Sequence, residues 1–299
     1  MRIATWNVNS LKARMDRVLW WLDRAQPDVL LMQETKLSDD DTPVMPFKMR
    51  GYEIVHHGEG RWNGVAIASK LPIDSVSIVT NFGDGPVRDS GAGVATNFAE
   101  EDFNPFDEAR MVSAVIDGTR FVSLYAPNGR VVGSPFYTGK LAWYDRLSRW
   151  LAEAVARENG LVVGGDFNIA PTPEDVWDEA AVHGGTHVSM PEREAFAELL
   201  THGLVDAYRS RRPEPGRFTW WDYRQGHFHK NMGMRIDHLL VTAALAERVV
   251  WAEIDREARK GNPIPSDHAP LLIDIDQDGV PIDAGWEGAM ERIAARTRR

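Results

Sequence analysis

The segment Pro265-Ser266-Asp267-His268-Ala269-Pro270 sets an acid beside a histidine, between two prolines and just ahead of the apolar run Leu271-Leu272-Ile273. Proline restrains its own φ and pushes the preceding residue out of the helical region, so Asp267 and His268 are expected on a stiff loop entering a strand. A rigid polar corner at a strand edge can hold catalytic groups still. Asp-His is a common dipeptide, however, and other positions are needed to give it meaning. Asn7, Glu34, Asp166 with Asn168, and Asp237 also mark the ends of apolar runs. Any one of these reads as a cap or turn residue. Together they describe a site at the rim of a sheet.

The residue types narrow the chemistry. The chain has no Cys, no Gly-x-Ser-x-Gly elbow and no His-Glu-x-x-His, which removes thiolate sites and the familiar serine and zinc arrangements. Oxygen donors dominate and suit a hard cation such as Mg²⁺, with Mn²⁺ as a substitute. An asparagine near a carboxylate adds hydrogen bonding without further negative charge, which helps where a phosphate must also fit.

The elements that must position these groups can be read from periodicity. Residues 2–8 form a strand, and Ser10 caps a helix whose Leu11, Met15, Val18, Leu19 and Leu22 share one face until Pro27. Residues 28–34 form an apolar strand, with further strands at 51–56, 63–69, 73–80, 110–116 and 120–125. A long amphipathic helix spans 138–159, followed by a strand into Gly165-Asp166-Phe167-Asn168. A helix at 191–201 and strands at 217–222, 235–241, 248–254 and 270–275 complete the set. Strands with interposed helices, lacking strict alternation, predict an α/β or α+β fold with mixed sheets, naturally as two packed sheets with helices outside. We expect one domain over 1–275. Residues 81–108 hold seven acids against Arg88 alone, net −6, a composition that favours a flexible insertion over a lid. The tail 276–299 is expected to hold a short helix docked through Trp286.

Across 299 residues the net charge is −10, which repels polyanions and demands a local basic patch if the partner is nucleic acid. Residues 207–235 meet that demand on paper: Arg209, Arg211, Arg212, Arg217, Arg224, Lys230 and Arg235 stand against Glu214 and Asp222, net +5, with Trp220, Trp221 and four other aromatics interleaved. One of the two tryptophans is expected in the core and Trp220 in a pocket. The absence of Cys, of a signal segment and of a bilayer-length apolar run predicts a cytoplasmic protein with no membrane partner.

Seven segments carry a resemblance: Thr5-Trp6-Asn7-Val8-Asn9, Leu31-Met32-Gln33-Glu34-Thr35-Lys36, Tyr125-Ala126-Pro127-Asn128-Gly129, Gly165-Asp166-Phe167-Asn168-Ile169-Ala170-Pro171, Phe218-Thr219-Trp220-Trp221-Asp222-Tyr223-Arg224, Arg235-Ile236-Asp237-His238 and Ser266-Asp267-His268-Ala269-Pro270. In this order the chain resembles the exonuclease III family of abasic-site (AP) endonucleases, within the endonuclease/exonuclease/phosphatase superfamily. The resemblance implies a four-layer α/β sandwich with the active site at one edge of both sheets. It implies that Glu34 ligates the metal, with Asn7 adjacent and Asn9 or Asp267 helping. Tyr125 and Asn168 would hold the scissile phosphate, Asp166 would orient or deprotonate the attacking water, and Asp237 would pair with His268 as an imidazolium. Arg110, Asn128, Trp220 and Arg224 would meet substrate, Trp220 lining a pocket for a flipped-out abasic sugar. The implied activity is Mg²⁺-dependent cleavage 5′ to abasic sites, with 3′-to-5′ exonuclease and 3′-end-cleaning activity on duplex DNA, by a monomer. Competing readings are a phosphodiesterase acting on RNA, inositol phosphate or phospholipid, and a DNA-binding module without catalysis. A further demand is chemical: an Asp at its ordinary pKa is a poor base at neutral pH, so burial or a neighbouring acid must raise that of Asp166.

Overall fold

The computed structural model describes residues 1–78, Phe82, 104–289, Glu291 and Ile293. Among the described residues twelve strands form two six-stranded sheets. The first runs β11 (Val249–Ile254), β12 (Leu271–Ile275), β1 (Arg2–Asn7), β2 (Val29–Gln33), β4 (Val65–Ser69), β3 (Glu53–His57). The second runs β5 (Ile73–Ile78), β6 (Met111–Ile116), β7 (Thr119–Tyr125), β8 (Leu161–Asp166), β10 (Asp237–Thr242), β9 (Leu204–Asp206). Each has one parallel pair at its heart, β1 with β2 and β7 with β8, and antiparallel neighbours around it. The sheets are therefore mixed.

Three apolar clusters fill the gaps between layers. Ile3, Leu31, Val162, Leu239, Trp221 and Ile273 pack between the sheets. The helix Leu11–Ala25 lays Val18, Trp21 and Leu22 on the outer face of the first sheet. Pro135–Arg157 and Met190–Thr201 cover the outer face of the second with Trp143, Leu147, Leu151, Phe196 and Leu199. The order helix, sheet, sheet, helix is the four-layer α/β sandwich. Strands buried on both faces read as continuous apolar runs, which is why β2 and β8 stood out in the sequence. Among the described residues no helix is long and apolar enough to cross a membrane.

Two devices bring the sheets close behind the site. A Cβ at Gly164 of β8 would lie 2.5 Å from Leu31 Cδ1 and 2.6 Å from Leu239 Cδ2, so any larger residue there would make these core side chains shift. Buried Gln33 donates to Ser123 Oγ across the gap at 3.0 Å, and Ser123 donates to the Met32 carbonyl at 3.0 Å.

The strand expected over 217–222 does not form. Thr219 and Trp220 N–H groups both donate to the Met234 carbonyl, whereas Trp221 N–H donates to the Asp267 carbonyl. The segment passes between two partners and joins no ladder. Most of the acidic stretch 81–108 lies outside the described residues, but Phe82 packs on Trp143 with ring centroids 5.3 Å apart. In the tail, Trp286 is buried and its Nε1 donates to the Ile254 carbonyl; Ala289, Glu291 and Ile293 are helical.

Candidate active site

Topology explains how residues far apart in sequence meet. The parallel strands β1, β2, β7 and β8 finish at one edge, with Asn7, Glu34, Tyr125 and Asp166 at their ends. The antiparallel strands β10 and β12 begin at that same edge, which puts Asp237 opposite Asp166 and leads Asp267-His268 in beside β1. The proline-flanked corner is tied down by β1. Trp6 Nε1 donates to the His268 carbonyl at 3.0 Å, and Ser266 Oγ donates to the Asn7 carbonyl at 2.7 Å.

Asn7 is the bridge between the two sheets. Its fully buried Nδ2 donates to Glu34 Oε1 at 2.8 Å and to Asp166 Oδ2 at 2.9 Å. Asn168 is held by its neighbours: Asp166 Oδ1 accepts from its N–H at 2.9 Å, and its Nδ2 donates to the Ala126 carbonyl at 2.9 Å. Asn128 Nδ2 donates to Asn168 Oδ1 at 3.1 Å. Glu34 and Asn168 have φ of 51° and 53° respectively, a left-handed conformation that asparagine tolerates and that glutamate adopts only when its surroundings impose it. Burial, then the nearby Glu34 charge, raises the Tyr125 pKa far above the ordinary value, so its hydroxyl stays neutral.

His268 Nδ1 faces Asp237 Oδ2 at 2.8 Å, and its Nε2 lies 3.8 Å from Asp166 Oδ2. Burial alone would favour neutral imidazole. The charges of Asp237 and then Asp166 outweigh it and raise the His268 pKa to about 10. Asp166 moves in the opposite functional sense. Burial, reinforced by Asp237 and Glu34, outweighs the opposing His268 charge and Asn7 hydrogen bond and raises its carboxyl to about 7. This upward shift is the direction that a base at neutral pH requires.

We predict that the His268 imidazole, followed by NMR in protein freed of divalent ions, keeps its proton through neutral pH and titrates near 10. Its folded pKa lies above the unfolded value of about 6.5. Its contribution to stability is therefore complete below that value and lost as pH rises through about 10. Titration of His268 near 6.5 would contradict the geometry.

The oxygens of Glu34 and Asp166 and a nitrogen of His268 lie within 4.8 Å of one another. With His268 Nδ1 held by Asp237, the oxygen donors of this cluster are two carboxylates, which suit a hard divalent cation. Asp166 is raised partly by unrelieved negative charge from Asp237 and Glu34, and a cation here would relieve it. Asn7 is oriented as a donor toward both carboxylates. Asp267 and Asn9 sit outside this cluster. Asn9 Nδ2 donates to Asp267 Oδ1 at 2.8 Å, Trp220 Nε1 donates to Asp267 Oδ2 at 3.1 Å, and Lys36 Nζ spans Asn9 Oδ1 at 2.7 Å and Glu34 Oε2 at 2.8 Å. Burial pushes Asp267 upward, but the His268 charge and these hydrogen bonds prevail and keep it ionised.

The expected substrate contacts separate. Trp221 is fully buried between the sheets, whereas Trp220 is half-buried at the site, bonded to Asp267. Arg110 lies behind Tyr125, donating to its carbonyl and pairing with Glu108. Arg224 projects from the surface and pairs with Asp222. The basic stretch 207–235 needs correction as a continuous phosphate surface. Arg209 and Arg235 pair with Asp175, Arg235 also with Asp206, and Arg212 and Arg217 with Glu253. The counter-charges come from outside the window or its near flank, so a local charge count could not register them.

Three residues escaped the sequence reading. Lys140 and Glu192 form a fully buried ion pair, and Lys140 Nζ also donates to the Asn168 carbonyl at 2.7 Å. His187 Nδ1 donates to that same carbonyl at 2.6 Å, with its ring 6.5 Å from that of Trp220. Burial, then the Lys140 charge, lowers the His187 pKa to about 4, so it is neutral. Glu192 did carry a sequence signal, Ser189-x-x-Glu192, but that pattern reads as a helix capping box, which it also forms.

Comparison with known proteins places the whole fold in a family. The model of the Endonuclease/Exonuclease/phosphatase family matches residues 4–268. An exodeoxyribonuclease III of Haemophilus influenzae is 31% identical over 281 residues, 91% of this chain and 98% of the relative. An exodeoxyribonuclease of Bacillus subtilis is 27% identical, over 92% of this chain and 100% of the relative. Among solved structures, the Neisseria 3′ phosphatase NExo bound to a product DNA hairpin is 35% identical with a TM-score of 0.81, covering 93% of this chain and 100% of that one. An AP endonuclease of Archaeoglobus fulgidus is 34% identical with the same TM-score of 0.81 and the same coverage of 93% and 100%. This chain belongs to the endonuclease/exonuclease/phosphatase family, in its exonuclease III branch.

Proposed function

We propose that the protein is a Mg²⁺-dependent hydrolase of DNA phosphodiesters in base excision repair. It cuts 5′ to abasic sites and removes nucleotides or blocking groups from 3′ ends of duplex DNA, acting as a monomer. The observation that carries this reading is one buried cluster in which Asp166 Oδ2 lies 3.8 Å from His268 Nε2, while Asp237 holds the other ring nitrogen at 2.8 Å and Glu34 lies within 4.8 Å. A base for water and a cation for a phosphate oxygen are what in-line hydrolysis asks of a protein.

Glu34 and Asp166 would hold the cation, with Asn7 keeping their oxygens apart, and Mn²⁺ would serve in place of Mg²⁺. A divalent cation bound there supplies charge neutralisation for a scissile phosphate. Asp166 orients the attacking water and takes its proton. A bond forms from the water oxygen to phosphorus as the P–O3′ bond breaks, and the departing O3′ collects a proton from solvent. The His268 N–H, the Tyr125 hydroxyl and Asn168 donate to the phosphate oxygens as their charge grows. His268 keeps its proton throughout because Asp237 compensates its charge. Half-buried Trp220 offers a ring face to an extruded abasic sugar. The similarity to DNA-processing nucleases and a 3′ phosphatase supports DNA as the substrate.

The test is a duplex holding a single abasic analogue, run beside a 3′-phosphate duplex, RNA, an inositol phosphate and a phospholipid. We expect a nick or 3′-end release with Mg²⁺, lost with chelator and restored by Mn²⁺, and strongly reduced by Glu34→Gln. Turnover of only the RNA, inositol or lipid substrates would overturn the DNA assignment. Identical DNA binding by wild type and Glu34→Gln with no turnover by either would favour a non-catalytic binding module.

A further inference from the structure

Glu34 sits on a turn that the backbone does not favour. Both Glu34 and Lys36 are left-handed, with φ of 51° and 53°, and each such non-glycine residue costs about 1–2 kcal/mol. Strain of this kind persists only where contacts over-determine it. Thr35, the residue between them, is fully buried and makes those contacts. Its N–H donates to the Gly64 carbonyl at 3.1 Å, and its carbonyl accepts from Leu11 N–H at 3.0 Å. Its hydroxyl lies 2.7 Å from His56 Nε2, and His56 Nδ1 lies 2.7 Å from Asp39 Oδ1.

The hydrogen positions in this chain follow from chemistry. An ionised carboxylate only accepts, so His56 Nδ1 carries the proton and donates to Asp39. Burial is the largest influence on His56 and lowers its pKa, so Nε2 keeps a lone pair and accepts from the Thr35 hydroxyl. Asp39 is fixed in turn by Gly58 N–H, which donates to the same oxygen at 2.8 Å. The arrangement has the residue types of a hydroxyl nucleophile with its base and acid. Yet the Thr35 hydroxyl is inaccessible: a Cβ at Gly64 would lie 2.2 Å from it, and the backbone packs over it. The chain of hydrogen bonds therefore holds a conformation and does no chemistry of its own.

We propose that His56 and Asp39 are positioning residues for the cation site: acting through Thr35, they lock the left-handed turn that aims Glu34 at Asp166. This rests on the cation site proposed above. Neither His56 nor Asp39 faces that site, and their strand and loop lie beyond the motifs by which the chain was recognised. Thr35 links them to Glu34 by one peptide bond.

The test is calorimetric titration of Mn²⁺ into the metal-free protein, together with the Mn²⁺ dependence of turnover. His56→Leu is expected to weaken Mn²⁺ binding by about 10–100-fold, the usual effect of losing an outer partner of a metal ligand. The rate at saturating Mn²⁺ should stay near that of wild type. His56→Gln, which can still accept from Thr35, should recover most of the affinity. Thr35→Val removes the hydroxyl at nearly constant volume and should reproduce the His56→Leu loss. The double variant T35V/H56L should be no weaker than either single one, because both remove one interaction. Thr35→Val also carries the test alone should His56→Leu fail to fold. Wild-type affinity in folded Thr35→Val or His56→Leu would overturn the proposal, and so would additive losses. Glu34→Gln separates the two levels: if it binds Mn²⁺ as wild type does, the cation site itself is misplaced, whatever His56 variants do.

Discussion

Asp166→Asn should give a folded protein whose turnover of DNA phosphodiesters falls by about 10²–10⁴-fold, the range associated with a positioned general base. The substitution keeps shape and one of the two hydrogen bonds that the carboxylate accepts: an amide oxygen can still accept from Asn168 N–H, now held at 2.9 Å, while its NH2 would face the Asn7 donor. What it removes is the group that takes a proton from water, together with the negative charge beside His268. Two further readings follow. The acid limb of the wild-type rate profile, governed by a carboxyl raised to about 7 in the cation-free site and drawn lower by a bound cation, should vanish in the variant. The His268 pKa should fall, since Asp166 is the second charge supporting it. A variant rate within about tenfold of wild type would remove Asp166 from the role of base. Recovery of the full rate on raising Mg²⁺ would make it a cation ligand only.

Glu192→Ala should destabilise the fold by about 3–5 kcal/mol, the cost of breaking a fully buried ion pair from one side. Lys140 and Glu192 are both inaccessible, so the variant leaves a buried ammonium without its counter-charge. Burial already pulls the Lys140 pKa below its ordinary value, and Glu192 restores part of that. In the variant the lysine pKa falls further, so the folded state disfavours the proton that the unfolded chain still binds. The deficit should accordingly be largest at neutral pH and shrink as pH rises toward about 10.5, the unfolded lysine value. Urea unfolding at several pH values measures both. The double variant Lys140→Met with Glu192→Leu should recover much of the loss, because an apolar pair of similar volume often replaces a buried ion pair. Its activity should remain low, since the Asn168 carbonyl loses its Lys140 donor. A deficit independent of pH would mean that Lys140 stays charged by finding another partner.

These two residues differ in how far sequence can reach them. Asp166 was legible because it ends an apolar strand within Gly-Asp-Phe-Asn, and the chemistry of that position is local. The same holds for Asn7, Glu34, Asp237 and the Asp267-His268 corner, each set by where a strand stops. Local periodicity also carried most of the strands, the long helix and the expectation of two packed sheets with helices outside, whereas the four-layer sandwich came from the family resemblance. It failed over 217–222, where Trp220 and Trp221 alternate as in a strand but the backbone bonds to Met234 and Asp267 in turn. It could choose Trp220 for the pocket only by preference; the sheet packing put Trp221 in the core.

The sequence by itself determined which chemical groups stand at the ends of the strands, because side-chain identity and strand period are local properties. Only the tertiary structure decided their charge states and their partners. The Asp166 carboxyl is raised to about 7 through burial beside Asp237 and Glu34, which lie on other strands. Arg209 and Arg235 are internal partners of Asp175, where a count along the chain made them part of a DNA-facing patch. Ionisation and pairing depend on distances across space and on loss of solvent, and a linear order of residues encodes neither until the two sheets close on each other.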